Sequence, residues 1–122
     1  NDRLAGLPNL LVEDNFLIAT YLKRLLMSWG VEVVGPAPSV NEAQQLAEVK
    51  DLSGAILDVN IVGGNSVPIA TRLQARGLPF FFITGYGSPL GLPETLSQRP
   101  RLNKPIDERK LQTTMQNEFV GA

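Results

Sequence analysis

The chain has 122 residues, the length of one compact domain, and its 43% hydrophobic content is enough for one core. Eleven Lys and Arg against twelve Asp and Glu leave a net charge of −1, and no basic run is present, so direct nucleic-acid binding is not expected. Cys and His are absent, which excludes disulfides, thiolate nucleophiles and the usual Ser-His-Asp arrangement, so any chemistry must come from carboxylates, Lys and a metal.

Short apolar runs alternate with helical patterns, which is typical of parallel strands covered by helices on both faces. The runs that we assign to strands are Asn9–Glu13, Val31–Gly35, Gly54–Asp58, Pro79–Thr84 and Arg101–Asn103. Their nearly unbroken apolar character indicates burial on both faces of the sheet. We therefore predict a single α/β domain over residues 1–122, with a doubly wound, five-stranded parallel sheet of the flavodoxin-like order 2-1-3-4-5.

Four helices are predicted from apolar residues at three- and four-residue spacing, and the first of them ends at Gly30. Their apolar positions are, in chain order, Ile18, Leu22, Leu25 and Trp29; Val40, Ala43 and Leu46; Ala70 and Leu73; and Leu111, Met115 and Phe119. The candidate N-caps are Ser39 or Asn41 for the second helix, Asn65 or Ser66 for the third and Asp107 for the last. Between Gly85 and Pro100, six Gly and Pro residues favour a short or broken helix.

Polar residues follow the strands at the edge of the sheet where the carboxyl ends meet. Glu13 and Asp14 end strand 1, Asp58 ends strand 3, Thr84 ends strand 4, and Lys104 follows strand 5. Because strands 1 and 3 are neighbours in the predicted order, their carboxylates are expected to converge. Three crowded carboxylates repel one another unless a cation compensates them.

Magnesium is the cation that this group of residues favours, because it prefers hard oxygen ligands. We predict that Asp14, Asp58 and the backbone carbonyl of Asn60 bind Mg²⁺, and that Glu13 acts through water.

A carboxylate can attack phosphorus and form an aspartyl phosphate when the charge on the phosphoryl oxygens is neutralised. Lys104 and the metal can neutralise that charge on Asp58, and the Thr84 hydroxyl can donate a hydrogen bond to the same oxygens. Singly, each residue has a simpler explanation: Asp14 as a helix cap, Asp58 as a turn residue, Thr84 as a strand end and Lys104 as a solvated charge. Their position at matching strand ends favours the chemical interpretation.

Three stretches resemble the defining segments of response-regulator receiver domains. They are Leu10-Leu11-Val12-Glu13-Asp14-Asn15, Ala55-Ile56-Leu57-Asp58-Val59-Asn60 and Lys104-Pro105, and the likeness runs from about Pro8 to Phe119. It implies an external phosphohistidine donor and a cis peptide before Pro105. The roles that it implies are the phosphoacceptor for Asp58, the acidic pair for Glu13 and Asp14, the switch hydroxyl for Thr84, and the phosphoryl-contacting cation for Lys104.

The fourth strand carries a second similarity. The stretch Pro79-Phe80-Phe81-Phe82-Ile83-Thr84-Gly85-Tyr86 resembles a receiver subgroup whose fourth strand ends Phe-Ala-Thr-Gly-Tyr, with Ile83 in place of Ala. Members of that subgroup are stand-alone or attached to sensor histidine kinases, which implies a phosphorelay element without a DNA-binding output. The implied partners are a histidine kinase or a histidine phosphotransfer protein. Such a domain catalyses its own phosphorylation and dephosphorylation and is not a metabolic enzyme.

We expect a cytoplasmic domain without membrane contact, because the apolar stretches are too short to span a bilayer and no basic-then-apolar leader is present. The chain begins at Asn1 without a Met, which suggests a piece of a longer protein.

Two features depart from the receiver pattern. The usual Met-Pro after the acceptor is replaced by the loop from Asn60 to Gly64, and Arg101 stands where an aromatic residue is common. A guanidinium does not enter an apolar slot readily. We therefore predict that Tyr86, the aromatic residue two positions after Thr84, shares the switch with it.

Three other classes of protein could share this pattern. A flavodoxin-like cofactor binder needs a phosphate-binding loop after strand 1, and Glu13-Asp14-Asn15 would repel a phosphate without a metal. An aspartate-nucleophile phosphatase normally adds a cap and more chain. A receiver-shaped interaction module that binds its partner regardless of phosphorylation stays open, and the response to a small phosphodonor with Mg²⁺ distinguishes it.

Overall fold

Strands and helices alternate along the chain as the sequence predicts. The structure is a computed structural model, and it describes residues 4–85 and 92–120. The elements are β1 (Pro8–Val12), α1 (Phe16–Ser28), β2 (Glu32–Ala37), α2 (Val40–Leu46), β3 (Gly54–Asp58), α3 (Val67–Ala75), β4 (Phe80–Thr84), β5 (Arg101–Asn103) and α4 (Glu108–Met115). A π-helical segment, Gln116–Val120, continues α4. Two short strands, Asn60–Ile61 and Gly64–Asn65, pair antiparallel in a hairpin that follows β3.

The five longer strands form one parallel sheet in the order β2-β1-β3-β4-β5, which confirms the predicted flavodoxin-like topology. The bounds of β3 and β5 are those predicted, whereas β1 lies one residue nearer the N-terminus and β2 extends to Ala37. The strand β4 begins at Phe80, one residue later than predicted.

Alternate residues of the inner strands face two separate apolar layers. Leu57 and Phe82 pack with residues of α2 and α3, whereas Ile56 and Phe81 pack with residues of α1 and α4. All four side chains are fully buried, and each such burial contributes about 1.5–3 kcal/mol. This packing fixes the strand ends from which the polar residues project.

The helices agree with the predicted pattern, with a shift in the buried face of α1. Ala19, Leu22 and Leu26 are buried there, while Ile18 and Trp29 are only partly buried. The helices α2 and α4 are capped as predicted: the side chains of Ser39 and Asp107 accept first-turn N–H groups. The third helix begins after Ser66, and the side chain of Asn65 accepts the Val67 N–H.

The predicted short or broken helix between Gly85 and Pro100 lies partly outside the described residues, as does Tyr86. Within it, residues 92–100 form turns and irregular backbone and contain no α-helix. Within residues 4–85 and 92–120, no helix is long and apolar enough to cross a membrane.

Candidate functional site

Three carboxylates meet at the carboxyl ends of β1 and β3. These strands pair in parallel with Val12 opposite Leu57, so the residues that follow in each strand lie at the same edge of the sheet. One carboxylate oxygen each from Glu13, Asp14 and Asp58 lies within 4.8 Å of the others. The structure therefore brings together the three acids predicted from the sequence.

The ammonium group of Lys104 lies between two of these acids. Its Nζ donates a hydrogen bond to Asp58 Oδ2 at 3.0 Å, and it lies 2.9 Å from Glu13 Oε1 in an ion pair that lacks hydrogen-bond alignment. The backbone N–H of Lys104 donates to the Thr84 carbonyl at 2.8 Å, which fixes the start of the loop after β5. The peptide bond between Lys104 and Pro105 is cis, as the family resemblance implied.

Burial and charge shift the pKa values of this ion pair. Burial is the main reason why the pKa of Glu13 is raised; the neighbouring Asp58 raises it further, and Lys104 and the Asn15 N–H offset part of the rise. For Lys104, burial by itself lowers the pKa, but Glu13 and Asp58 outweigh burial and the pKa is raised. Lys104 therefore stays charged at neutral pH, while Glu13 holds a proton more readily than an exposed glutamate.

The two members of the acidic pair have different environments. The Glu13 side chain is buried and its Oε2 accepts the Asn15 N–H at 3.0 Å, whereas Asp14 is exposed. The N-cap of α1 is Asn15, whose side chain accepts the Ile18 N–H at 3.1 Å. The simpler explanation that Asp14 caps this helix is therefore wrong.

The remaining predicted residues flank the cluster. Thr84 is buried at the end of β4, and its hydroxyl donates a long, weak hydrogen bond to the Gly85 carbonyl at 3.5 Å. Asn60 is exposed in the hairpin after β3, and Arg101 is exposed on β5. The sequence interpretation missed the hairpin itself, although Gly63 and its neighbour Gly64 were a signal for a tight turn.

The charges of the cluster are suited to a divalent cation. When all are ionised, three carboxylates and one ammonium leave two negative charges, which one divalent ion balances. Carboxylate oxygens are also the ligands that magnesium prefers. The residues present therefore fit a magnesium ion.

Comparisons with known proteins agree with this fold. No protein-family model matches the chain, and no curated protein matches it. The solution structure of SdrG from Sphingomonas melonis Fr1 is 36% identical, with 89% of this chain and 92% of that chain covered and a TM-score of 0.78. The BeF3-activated conformation of SdrG, from Pseudomonas melonis Fr1, is 35% identical, with coverages of 91% and 97% and a TM-score of 0.72.

A more distant structure shows the same fold. The receiver domain of the sensor histidine kinase PA1611 from Pseudomonas aeruginosa PAO1 has a magnesium ion coordinated in its active-site cleft. It is 24% identical, with coverages of 97% and 100% and a TM-score of 0.76. The sheet order and these similarities define an α/β signalling domain of the receiver class. The chain belongs to the family of CheY-like response-regulator receiver domains.

Proposed function

We propose that this domain accepts a phosphoryl group on Asp58 within a two-component or phosphorelay signalling system. The observation that carries the proposal is the hydrogen bond from Lys104 to Asp58 inside a cluster of three carboxylates. It places an ammonium group 3.0 Å from an oxygen of the proposed nucleophile. The same ammonium can neutralise a phosphoryl group that arrives on that oxygen.

The phosphoryl donor is external to this domain, because the chain contains no His to carry the group, and the family resemblance implies that the donor is a phosphohistidine. An oxygen of Asp58 forms a bond to phosphorus while the phosphorus–nitrogen bond breaks, and the departing imidazole keeps the electron pair. Lys104 then transfers its hydrogen bond from the carboxylate to a phosphoryl oxygen. The Thr84 hydroxyl, whose present hydrogen bond is weak, can donate to the same group. Hydrolysis of the aspartyl phosphate at this site resets the domain.

Asp14, Asp58 and the carbonyl of Asn60 would hold the magnesium ion, with Glu13 acting through water. The bound ion supplies charge neutralisation at the phosphoryl oxygens. The 4.8 Å cluster and the magnesium ion in the cleft of the PA1611 receiver domain support this assignment.

We infer that the phosphohistidine donor, a histidine kinase or a histidine phosphotransfer protein, docks on the start of α1. Phe16 and Leu17 are 79% and 77% exposed there, next to the acidic cluster. Further along α1, Ile18 and Tyr21 line a cavity of about 540 Å³ together with Lys104, Pro105 and Ile106. Exposed apolar surface of this kind is typical of a protein interaction site.

Docking and chemistry can be separated by the choice of donor. Phe16→Ala should slow transfer from a phosphohistidine protein and leave the reaction with acetyl phosphate unchanged. Thr71→Ala, at an exposed position of α3 on the opposite face of the sheet from α1, is the matched control. Equal slowing with both donors would place Phe16 in the chemistry rather than in docking.

The proposal extends to the switch and the cellular context. Thr84 and Tyr86 together would bias the segment between Gly85 and Pro100 between two arrangements, in a cytoplasmic receiver that is stand-alone or attached to a histidine kinase. Tyr86→Ala should leave phosphorylation intact and reduce the phosphorylation-dependent change in partner affinity. An undiminished change at equal phosphorylation would mean that the signal takes another route.

The direct test is intact-protein mass after incubation with acetyl phosphate and Mg²⁺. The wild type should gain one phosphoryl group, Asp58→Asn should gain none, and Asp51→Asn, which alters an exposed carboxylate elsewhere, should behave as the wild type. Because SdrG has a BeF3-activated conformation, beryllofluoride with Mg²⁺ provides a second, stable probe. A wild type that neither gains mass nor responds to beryllofluoride would favour an interaction module that acts independently of phosphorylation.

A further inference from the structure

The loop after β3, the strand that ends in Asp58, is held by hydrogen bonds along its whole length. At its base, the Ser66 N–H donates to the Val59 carbonyl at 2.9 Å. Its two short strands pair antiparallel, and the side chains of Val59 and Ile61 are 2% and 6% exposed in the core. The loop is thus a closed hairpin rather than an irregular connection.

The tip of this hairpin is hydrogen-bonded to the loop between β2 and α2. The Val62 N–H donates to the Pro38 carbonyl at 3.1 Å, and the Val40 N–H donates to the Val62 carbonyl at 3.0 Å. The Val62 side chain is 58% exposed, so its backbone makes the attachment. Gly63 has a φ of 91°, the positive value required at the second central position of a type II turn.

We propose that Val62 is a positioning residue for the magnesium site, because its two backbone hydrogen bonds hold the hairpin that presents the Asn60 carbonyl. The inference rests on the proposed function, in which that carbonyl binds magnesium. This loop lacks the Met-Pro pair common in the family, so its rigidity has to come from hydrogen bonds. A ligand held in place before the metal arrives loses less entropy on binding.

A single substitution can remove one of these bonds without altering the hairpin itself. Val40→Pro eliminates the N–H that reaches the Val62 carbonyl, yet proline is favoured at the first position of a helix, and Ser39 before it is already extended. Val40→Ala is the matched control, since it keeps the N–H and only shortens the side chain. Val40→Pro should weaken Mg²⁺ binding about three- to ten-fold relative to Val40→Ala, the worth of one hydrogen bond.

Calorimetric titration with Mg²⁺ distinguishes a failure of this inference from a failure of the proposed function. Equal affinities of Val40→Pro and Val40→Ala would overturn the positioning role and leave the proposed function intact. A wild type that binds no Mg²⁺ would overturn the proposed function, and the inference with it. The thermal midpoint of each metal-free variant shows whether Val40→Pro is folded.

Hydrogen exchange of the wild type provides a second test that requires no variant. Because coupling between two sites is reciprocal, a metal ion on Asn60 must stabilise the bonds at the tip of the hairpin. With Mg²⁺, exchange of the Val40 and Val62 amides should slow at least about three-fold more than exchange of the Leu73 amide in α3, which reports the general stabilisation of the fold by the ion. Exchange at Val40 and Val62 that does not respond to Mg²⁺ would overturn the inference.

Discussion

Lys104→Ala removes the ammonium group that contacts two buried carboxylates. The side chains of Glu13 and Asp58 are 0% and 7% exposed, and that of Lys104 is 20% exposed. Removing one partner of a fully buried ion pair costs about 3–5 kcal/mol. Because Lys104 is partly exposed and Glu13 can take up a proton, we expect Lys104→Ala to lower the free energy of unfolding by about 2 kcal/mol at neutral pH without metal. For a domain of this size, that loss lowers the melting temperature by about 6–10 °C.

If the proposed site binds magnesium, the ion should reverse much of this loss, because it would replace the missing positive charge and bind only the folded domain. Calorimetric melting with and without Mg²⁺ measures both effects. Lys110→Ala is the matched control, since Lys110 is exposed and forms no ion pair with an acid among the described residues. Equal melting temperatures of the two variants without metal, or loss of Mg²⁺ binding by Lys104→Ala, would refute the reasoning.

Three further predictions concern the acids and the core. Asp14→Ala should weaken Mg²⁺ binding more than Glu13→Ala does, because in the proposed site the exposed Asp14 would bind the metal directly and Glu13 through water; titrations that give equal or reversed losses reject this order. Because the pKa of Glu13 is raised in the folded domain, protonated Glu13 stabilises the metal-free fold fully below pH 4.5, and this contribution is lost as the pH rises through the raised pKa. The free energy of unfolding of Glu13→Gln, measured by denaturation from pH 4.5 upwards, should therefore depend less on pH than that of the wild type. An equal pH dependence of the two proteins would contradict the burial of Glu13. Gly54→Ala should lower the melting temperature, because a Cβ there would lie 2.5 Å from the Phe119 ring; an unchanged melting temperature would mean that the ring moves at no cost.

The sheet and its polar edge were predictable because burial on both faces leaves a strong sequence pattern. The sequence predicts the bounds of β3 correctly, because its uninterrupted apolar residues end at the charged Asp58. The edge at which Glu13 and Lys104 meet followed from strand order alone. Strand order does not fix where each side chain points. It therefore could not predict that Lys104 donates its hydrogen bond to Asp58 and contacts Glu13 only as an ion pair.

Other features could not be predicted from sequence, because neighbouring residues have similar chemistry or because the contacts join distant segments. Asp14 and Asn15 are both good N-caps, and only the backbone geometry selects Asn15. The hairpin after β3 is formed by residues too few for a periodic pattern, and its attachment to Pro38 joins segments that are distant in sequence. Such contacts follow from the assembled fold, not from local propensity.

The most direct test of the central claim is to identify the residue that carries the phosphoryl group. After incubation with acetyl phosphate and Mg²⁺, reduction of the acyl phosphate with borohydride and peptide mass spectrometry mark the modified carboxylate. The proposed chemistry predicts a single mark at Asp58 that disappears when Mg²⁺ is chelated. A mark on Asp14, Glu13 or any other residue, or none at Asp58 with Mg²⁺ present, would contradict it.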